Sequence, residues 1–500
     1  MLLRELIAPL RCKVVGDPDI EVASISLDSR EVESGTLFAA MPGVHVDGRA
    51  FIGEAVRRGA CAVLAERAGE AVPVTQVIVE DIRAALAEVS ARFYGYPSRR
   101  LKLVGVTGTN GKTTTTYLIE SILKEAGLTP GVIGTINYRY GGGTYPAPHT
   151  TPQAPQLQRV LKEMADSGVT HCVMEVSSHS LEQKRVLGCV FSVAVFTNLT
   201  HEHLDYHRTM DGYFESKKTL FSMAAEAGGV CAVNIDDEWG ALIKKELPGS
   251  LTYSLKHGAD ICPLGYSLLP GNTEAEVSTP AGTVTVGSHL VGEYNLQNIL
   301  AAISAGCALG LDPKAQAAGI AALERVPGRL EKIEASGRRF NAYVDYAHTA
   351  DALERTLNAL RKVTKGRLIT VFGCGGNRDR LKRPEMGEVS ARLSDITIVT
   401  SDNPRDEDPL EIIREVVSGI KGVNKCAPGA PSAGKCYMAI PERSEAIKRA
   451  VETARDGDTL LLAGKGHEDC QIVKGQRLRF SDFEALDAAI KGFCNDRALN

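Results

Sequence analysis

No two of the twelve cysteines are spaced as C-x-x-C, so the pattern offers neither a zinc site nor a disulfide framework. Reduced, cytosolic thiols are the expected state. No apolar run approaches the ~20 residues that a membrane-spanning helix needs. The opening residues 1–14 carry too short and broken an apolar stretch for a secretory signal, which again points to the cytoplasm. A net charge of −4 on 500 residues gives no reason to expect nucleic acid or an anionic membrane surface as a partner. Internal repeats and long low-complexity tracts are absent. What remains, 44% hydrophobic and 24% charged, is the composition of a globular chain, and its length suggests about three domains.

The most informative stretch is residues 101–127. An apolar run, 101–106, reads as a buried strand, and the glycine-bearing turn 108–113 (GTNGKT) follows at once. Leu118, Ile119, Ile122, Leu123 and Ala126 then recur at helical spacing until Gly127 ends the helix. Strand, glycine loop and helix N-terminus together make a phosphate cradle, because freed backbone N–H groups and the helix dipole both favour an anion. Lys112 is placed to reach the terminal phosphates of ATP and Thr113 to hold Mg²⁺. Val106 stands where the common phosphate-loop pattern has its first glycine, so the cradle is a variant of that pattern.

Strands followed by polar loops recur beyond this point. Residues 171–176 deliver Glu175, then Ser177, Ser178 and His179; residues 191–196 deliver Thr197 and Asn198, then the stretch 201–207 with its three histidines. Strands separated by helical stretches suggest a doubly wound, mostly parallel sheet, whose ligands bind beyond the strand C-termini. Glu175 and His203 suit a divalent cation on ATP phosphates. Zinc on His201, His203 and His207 is the competing assignment, weakened by the missing helical H-E-x-x-H spacing. In the helical stretch 211–221, Lys217 lies at the centre of an apolar face made by Tyr213, Phe214, Leu220 and Phe221. Two outcomes are open: a desolvated amine with depressed pKa, or a snorkelling ammonium.

From about 330 onward a third α/β unit presents four loops after candidate strands, at 345–349, 373–379, 402–405 and 464–468. The glycine run at 373–376 mimics a dinucleotide fingerprint, but Arg378 replaces its last glycine. Arg378, Arg405 and Glu468 all fall just past strand ends. Two guanidiniums and one carboxylate on one sheet edge suit an amino acid.

These stretches resemble the Mur ligases, the ATP-dependent amide-forming enzymes of peptidoglycan assembly. The likeness runs over nearly the whole chain and rests on residues 108–114, 174–178, 203–205, 213–217, 295–298, 345–348 and 402–405. It implies three α/β domains: a small one for the uridine nucleotide (1–98), a central ATP-binding one (99–328) and a Rossmann-like one for the incoming amino acid (329–500). Within the family the motifs are most similar to those of members that add meso-diaminopimelate to UDP-N-acetylmuramoyl-L-Ala-D-Glu. By that resemblance Leu27, Ser29 and the loop 44–46 would bind the uridine nucleotide, and Thr150, Thr151, Ser177, Gln183 and Arg185 the muramoyl-dipeptide end. Gly108, Thr109, Asn110, Gly111, Lys112, Thr113, Thr114, Asn295, Arg329, Asp345 and His348 would contact ATP.

The resemblance further implies that Lys217 is carbamylated, giving an anionic oxygen ligand that supports a second Mg²⁺ with Glu175 and His203. Arg378, Asp402, Asn403, Pro404, Arg405, Gly464 and Glu468 would form the diaminopimelate site, with Arg405 on the distal carboxylate. A monomer is expected, with the C-terminal domain swinging closed over ATP. The lysine-adding relative is the alternative, and folylpolyglutamate synthetase or a non-catalytic nucleotide-binding regulator are more remote ones. Residues 422–438, rich in Gly, Pro and Ala, read as a surface insertion of little bearing on the active site.

Overall fold

Three large sheets follow one another along the chain, and among the described residues two small antiparallel ones accompany them, Cys262–Leu269 with Asn272–Thr279 and Gly282–Ser288, and Cys470–Val473 with Gln476–Arg479. The structure, a computed structural model, describes residues 1–43, 46–69, 72–269, 271–333, 340–426 and 434–498. The first sheet is ordered Cys12–Val15, Thr75–Val79, Ala60–Ala65, Thr36–Ala39, Ser24–Ser26, parallel except for its first strand.

The central sheet has eight strands, ordered Leu251–Tyr253, Val230–Asn234, Val193–Phe196, Lys102–Thr107, His171–Glu175, Pro130–Ile133, Asn137–Tyr140, Gly143–Pro146. The first six are parallel and the last two form an antiparallel extension. Its middle strands are near-continuous Val, Leu and Ala because both faces are covered. Leu157, Leu161 and Phe221 from two helices pack on one face; Ile119, Leu123, Leu296 and Ile299 from the Lys112–Glu125 and Glu293–Ala308 helices pack on the other. Each such fully buried aliphatic side chain contributes roughly 2 kcal/mol before conformational entropy is deducted. The sheet is therefore doubly wound and mostly parallel.

Register determines where function can sit. Glu175 pairs with Val106, and Phe196 with Thr107, so the phosphate loop, Glu175 and Thr197 emerge at one level. The seven-stranded third sheet is ordered Glu331–Ile333, Asn341–Asp345, Thr459–Ala463, Leu368–Phe372, Ile396–Val399, Cys436–Ala439, Asn424–Lys425. Ala463 pairs with both Asp345 and Phe372, and Phe372 with Val399, which brings the four candidate loops to one edge.

One expectation is corrected. Cys426 and Cys436 form a disulfide, with Cα atoms 5.1 Å apart. Spacing alone could not reveal it, because the contact is made by a parallel strand pairing, Asn424 with Cys436 and Lys425 with Tyr437. Nine other described cysteines are free thiols. The flanks of the stretch 422–438 are thus the last strands of the sheet, while residues 427–433 lie outside the described residues. Among the described residues no helix is long and apolar enough to cross a membrane.

Candidate active site

The phosphate loop works only with glycine at two positions. Gly108 has φ +147° and a Cβ there would lie 1.9 Å from Thr197 Oγ1; Gly111 has φ +87° and its Cβ would lie 2.3 Å from Asn298 Oδ1. The backbone is thereby packed against the neighbouring strand end and the Glu293–Ala308 helix, and the Lys112–Glu125 helix starts directly at the loop. Lys112 Nζ folds back to donate to the carbonyls of Gly108 and Thr109, each at 2.8 Å. Burial pushes its pKa down, while the charges of Glu175 and Glu202 work the other way.

Glu175, 1% exposed, is the hub of the next shell of contacts. It accepts from Thr113 Oγ1 at 3.1 Å, from Thr135 Oγ1 at 2.9 Å and from the Thr135 N–H at 2.9 Å. Thr135 and Thr150 share a hydroxyl contact of 3.1 Å, and Thr151 Oγ1 donates to the Glu175 carbonyl at 2.8 Å while accepting from the Ser177 N–H. Arg185 donates to the Thr151 carbonyl at 2.9 Å and grips Gln183 Oε1. The structure therefore gathers Thr150, Thr151, Ser177, Gln183 and Arg185 into one network beside Glu175.

Lys217 is 1% exposed and donates to the carbonyl of Gly108 at 2.9 Å, with Nζ 4.5 Å from the centre of the Tyr213 ring. Burial, then repulsion from Lys112, drives its pKa well below that of an ordinary lysine. Of the two outcomes open from sequence, the desolvated amine is the one formed. His203 takes a left-handed backbone (φ 58°) and packs its ring against His179 at 4.8 Å. Burial depresses both imidazoles, that of His179 to about 4.

Residues of the third sheet close the cleft. Arg329 Nη2 donates to Thr113 Oγ1 at 3.1 Å; Asn110 Nδ2 and Thr200 Oγ1 both donate to Asp351 Oδ2, at 3.1 and 3.2 Å. Glu202 stands between two histidines, 3.8 Å from His203 Nε2 and 3.6 Å from His348 Nε2. Burial acts to raise the Glu202 pKa, but the His348 hydrogen bond and the charges of His203, His348 and Lys112 outweigh it and hold the carboxyl well below its usual range. The cavity, about 290 Å³, is lined by the phosphate loop with Thr114, Asn295, Arg329, Asp345 and His348 among others. Asp345 is committed to the backbone: it accepts from the N–H groups of Leu330 (2.6 Å) and Ala347 (2.9 Å), and so sets the loop that carries Arg329. Asn295 likewise donates to the Val291 carbonyl and accepts from Asn298.

A second cluster lies beside the first. Arg405 (φ 52°) donates to the Gly376 carbonyl at 2.7 Å, and its pKa is lowered by burial and by the neighbouring Arg378 guanidinium. A Cβ on Gly375 would lie 2.8 Å from Arg405 Nη1 and 3.9 Å from Arg378 Cγ. Opposite charge is supplied by Asp402 and Glu468, the latter accepting from Asn403 Nδ2 at 2.7 Å. Gly464 (φ +111°) brings the backbone close to Asp402, and Gly376 lies under the Pro404 carbonyl. Arg405 lies within the electrostatic reach of Arg378, Asp402 and Glu468, and cations with carboxylates on one loop edge match the zwitterionic end groups of an amino acid. The clusters touch through Tyr346, whose ring is 4.6 Å from His348, 5.0 Å from His467 and 4.7 Å below the Arg329 guanidinium.

Leu27 and Ser29 lie on the first sheet's side of the molecule, outside this cavity. Ser29 is buried and donates to Glu54 at 3.0 Å. Val44 and His45 of the expected nucleotide loop lie outside the described residues, and Val46 is exposed.

Sequence reasoning missed Glu202, Asp351 and Thr135. Glu202 carried a signal, an acid between two histidines. Asp351 carried none, since a charge in the first turn of a helix reads as ordinary capping.

The pattern of a metal site can be judged on these contacts. Among the described residues no three His, Cys, Asp or Glu side chains converge as a cage. Thr113 and Glu175 nevertheless present adjacent oxygens beside the phosphate loop, which fits an ion such as Mg²⁺ that keeps waters and takes phosphate oxygens.

Comparison with known proteins accords with this architecture. Residues 21–94 match the Mur ligase family catalytic domain, 106–306 the Mur ligase middle domain and 328–466 the Mur ligase glutamate ligase domain. The UDP-N-acetylmuramoyl-L-alanyl-D-glutamate–2,6-diaminopimelate ligase of Geobacter metallireducens is 46% identical over 489 residues, covering 95% of each chain. That of Gloeobacter violaceus is 43% identical over 492 residues, covering 98% of each. A solved structure of such a ligase superposes with a TM-score of 0.69 at 33% identity, covering 99% of each chain. The chain belongs to the Mur ligase family.

Proposed function

We infer that the protein is an ATP-dependent acid–amino-acid ligase that joins meso-2,6-diaminopimelate to the D-Glu γ-carboxyl of UDP-N-acetylmuramoyl-L-Ala-D-Glu, a step of peptidoglycan precursor synthesis. The observation that carries this is the adjacency of two clusters. Phosphoryl-transfer groups (Lys112, Thr113, Glu175) line one cleft, and Arg405, within the electrostatic reach of Arg378, Asp402 and Glu468, lies one tyrosine away. The 46% identity to a ligase of that name supports the choice of substrates.

The chemistry needs an electrophilic carboxyl in water. The D-Glu γ-carboxylate attacks the γ-phosphorus of ATP; the P–O bond to ADP breaks and an acyl phosphate forms. The neutral amine of diaminopimelate then adds to the acyl carbon, and the tetrahedral intermediate expels phosphate while the nitrogen gives up its proton. Lys112 leaves the Gly108 and Thr109 carbonyls to neutralise charge on the transferring phosphoryl group, the largest electrostatic task in such reactions. Arg329 reaches the same phosphates from the third domain. Thr113 and Glu175 would hold Mg²⁺, which supplies charge neutralisation on the β- and γ-phosphates.

Further parts of the same proposal concern individual groups. Lys217, as a neutral amine, would add CO₂ through its nitrogen and release a proton to become an N6-carboxylysine, which with Glu175 and His203 would hold a second Mg²⁺ and supply further charge neutralisation. Thr150, Thr151, Ser177, Gln183 and Arg185 hold the dipeptide end, and Leu27 and Ser29 the uridine nucleotide. Arg405 reads the distal carboxylate of diaminopimelate; L-lysine lacks that group and would leave the guanidinium unpaired. We take the domains as 1–98, 99–328 and 329–500, and the enzyme as a cytoplasmic monomer.

The test is phosphate release by the purified protein. Turnover is expected only when ATP, Mg²⁺, the UDP-linked dipeptide and diaminopimelate are all present. Absence of ADP formation with every amine would contradict the assignment and favour a nucleotide-binding regulator.

A further inference from the structure

We propose that Lys465 is a positioning residue of the amino-acid pocket: its ammonium holds Asn403 and Glu468 in the arrangement that receives the incoming amine, a role that rests on the ligase reaction proposed above. Lys465 follows the strand Thr459–Ala463 and sits between Gly464 (φ +111°) and Gly466 (φ +53°). Gly464 is required by its positive φ, and Gly466 by contact as well, since a Cβ there would lie 2.7 Å from Tyr346 Cβ. This tight turn buries the lysine completely, at 0% exposure.

Three oxygens surround its Nζ: Glu468 Oε2 at 3.1 Å, Asn403 Oδ1 at 3.2 Å and Asp402 Oδ1 at 3.5 Å. A lysine ammonium has three donors and no acceptor, so each proton has a partner and none is left for a ligand. The same contacts determine the orientation of the Asn403 amide. Its Oδ1 receives Lys465 and the Ile472 N–H (2.9 Å), which turns Nδ2 to Glu468 Oε2 at 2.7 Å. Both bonds to Glu468 thus fall on Oε2, and among the described residues Oε1 accepts none. With its side chain 30% exposed, Glu468 keeps one carboxylate oxygen available to a substrate ammonium.

Energetics separate this from ordinary packing. A buried ammonium must be paired to be tolerated, and an apolar side chain of similar volume would fill the space without that requirement. Here the charge lies beneath three of the side chains that face the pocket and separates two carboxylates, Asp402 and Glu468, that would otherwise repel. Removing it leaves Asn403 Oδ1 held by the Ile472 N–H alone and Glu468 tethered by one bond.

The test compares Lys465→Met and Lys465→Gln with the wild-type enzyme, each checked for its melting transition. The KM for diaminopimelate is expected to rise about tenfold or more, the usual size for a hydrogen bond to a charged group. The KM values for ATP and the UDP-linked dipeptide, and the single-turnover formation of ADP without amine, are expected to stay within about twofold, since their site is separate. An unchanged KM for the amine would overturn the assignment, as would an equal rise in all three KM values. Failure of both variants to fold would also overturn it, by making Lys465 part of the core. A wild-type protein without turnover would instead overturn the ligase reaction itself, and this role with it.

Discussion

Lys112 and Lys217, 105 positions apart in the chain, donate to the same backbone oxygen, that of Gly108, at 2.8 and 2.9 Å. Two ammonium groups so close, one half-buried and one buried, cannot comfortably carry charge together. The Lys112 pKa is lowered and the Lys217 pKa more strongly so, with burial the leading cause in each case. The ligand-free site therefore favours loss of the proton at position 217 more than at position 112.

This relationship has a thermodynamic signature. A lysine that is neutral when folded regains its proton on unfolding wherever the pH lies below its ordinary value of 10.5. The unfolded state then binds more protons, so stability rises with pH up to that value. The melting temperature of the ligand-free protein at about pH 7 to 10 is expected to rise less steeply in Lys217→Met than in the wild type. Identical slopes by scanning fluorimetry would show that Lys217 is charged in the folded protein.

The same neutral amine is the form that reacts with CO₂. Protein equilibrated with ¹³C-bicarbonate is expected to show one slowly exchanging carbamate carbon signal, absent in Lys217→Ala. Activity of that variant is expected to fall by about 10² or more, because an anionic group at the phosphoryl-transfer site is lost. Full activity of Lys217→Ala would remove the carbamate from the mechanism.

Much of this site was legible because its signals are local. The strand, glycine loop and helix around residues 101–127 announce themselves by period and by turn chemistry, and strand C-termini were enough to gather Arg378, Arg405 and Glu468. Groups whose partners come from another unit were not legible. Glu202 meets His348, and Asp351 meets Asn110, only because two sheets approach; in the sequence Asp351 is an ordinary charge, and only its flanking histidines set Glu202 apart. The Cys426–Cys436 bridge was hidden for a similar reason, since it depends on a two-residue strand pairing.

The contacts across the cleft predict a closing motion. Asn110, Thr113 and Thr200 on the central side meet Asp351 and Arg329 on the other, so nucleotide and UDP substrate should favour this compact arrangement. X-ray scattering is expected to give a smaller radius of gyration with both ligands than without. Asp351→Ala should lessen the change and lower kcat by roughly tenfold, because it removes contacts that hold the two sides of the cleft together. An unchanged radius in the wild type would contradict closure.

The Cys426–Cys436 bridge should matter for stability and not for turnover. Cys436 pairs with Ile396 at the start of its strand, whereas the Asp402–Arg405 loop follows the opposite end. Closing a loop of 10 residues in sequence separation contributes roughly 3 kcal/mol in the chain-entropy model. Reductant is expected to lower the thermal transition of the C-terminal unit by several degrees. Activity at 25 °C should be unaffected; a loss on reduction would tie the bridge to the amino-acid pocket.

The central claim is that a carboxylate-reading arginine selects the amine. The most direct measurement offers meso-diaminopimelate and L-lysine together, at equal concentration, to the enzyme with ATP, Mg²⁺ and the UDP-linked dipeptide, and reads product masses. A product carrying diaminopimelate in excess of about 10³-fold is expected, because the unpaired Arg405 penalises lysine. A lysine adduct in comparable or greater amount would contradict the account.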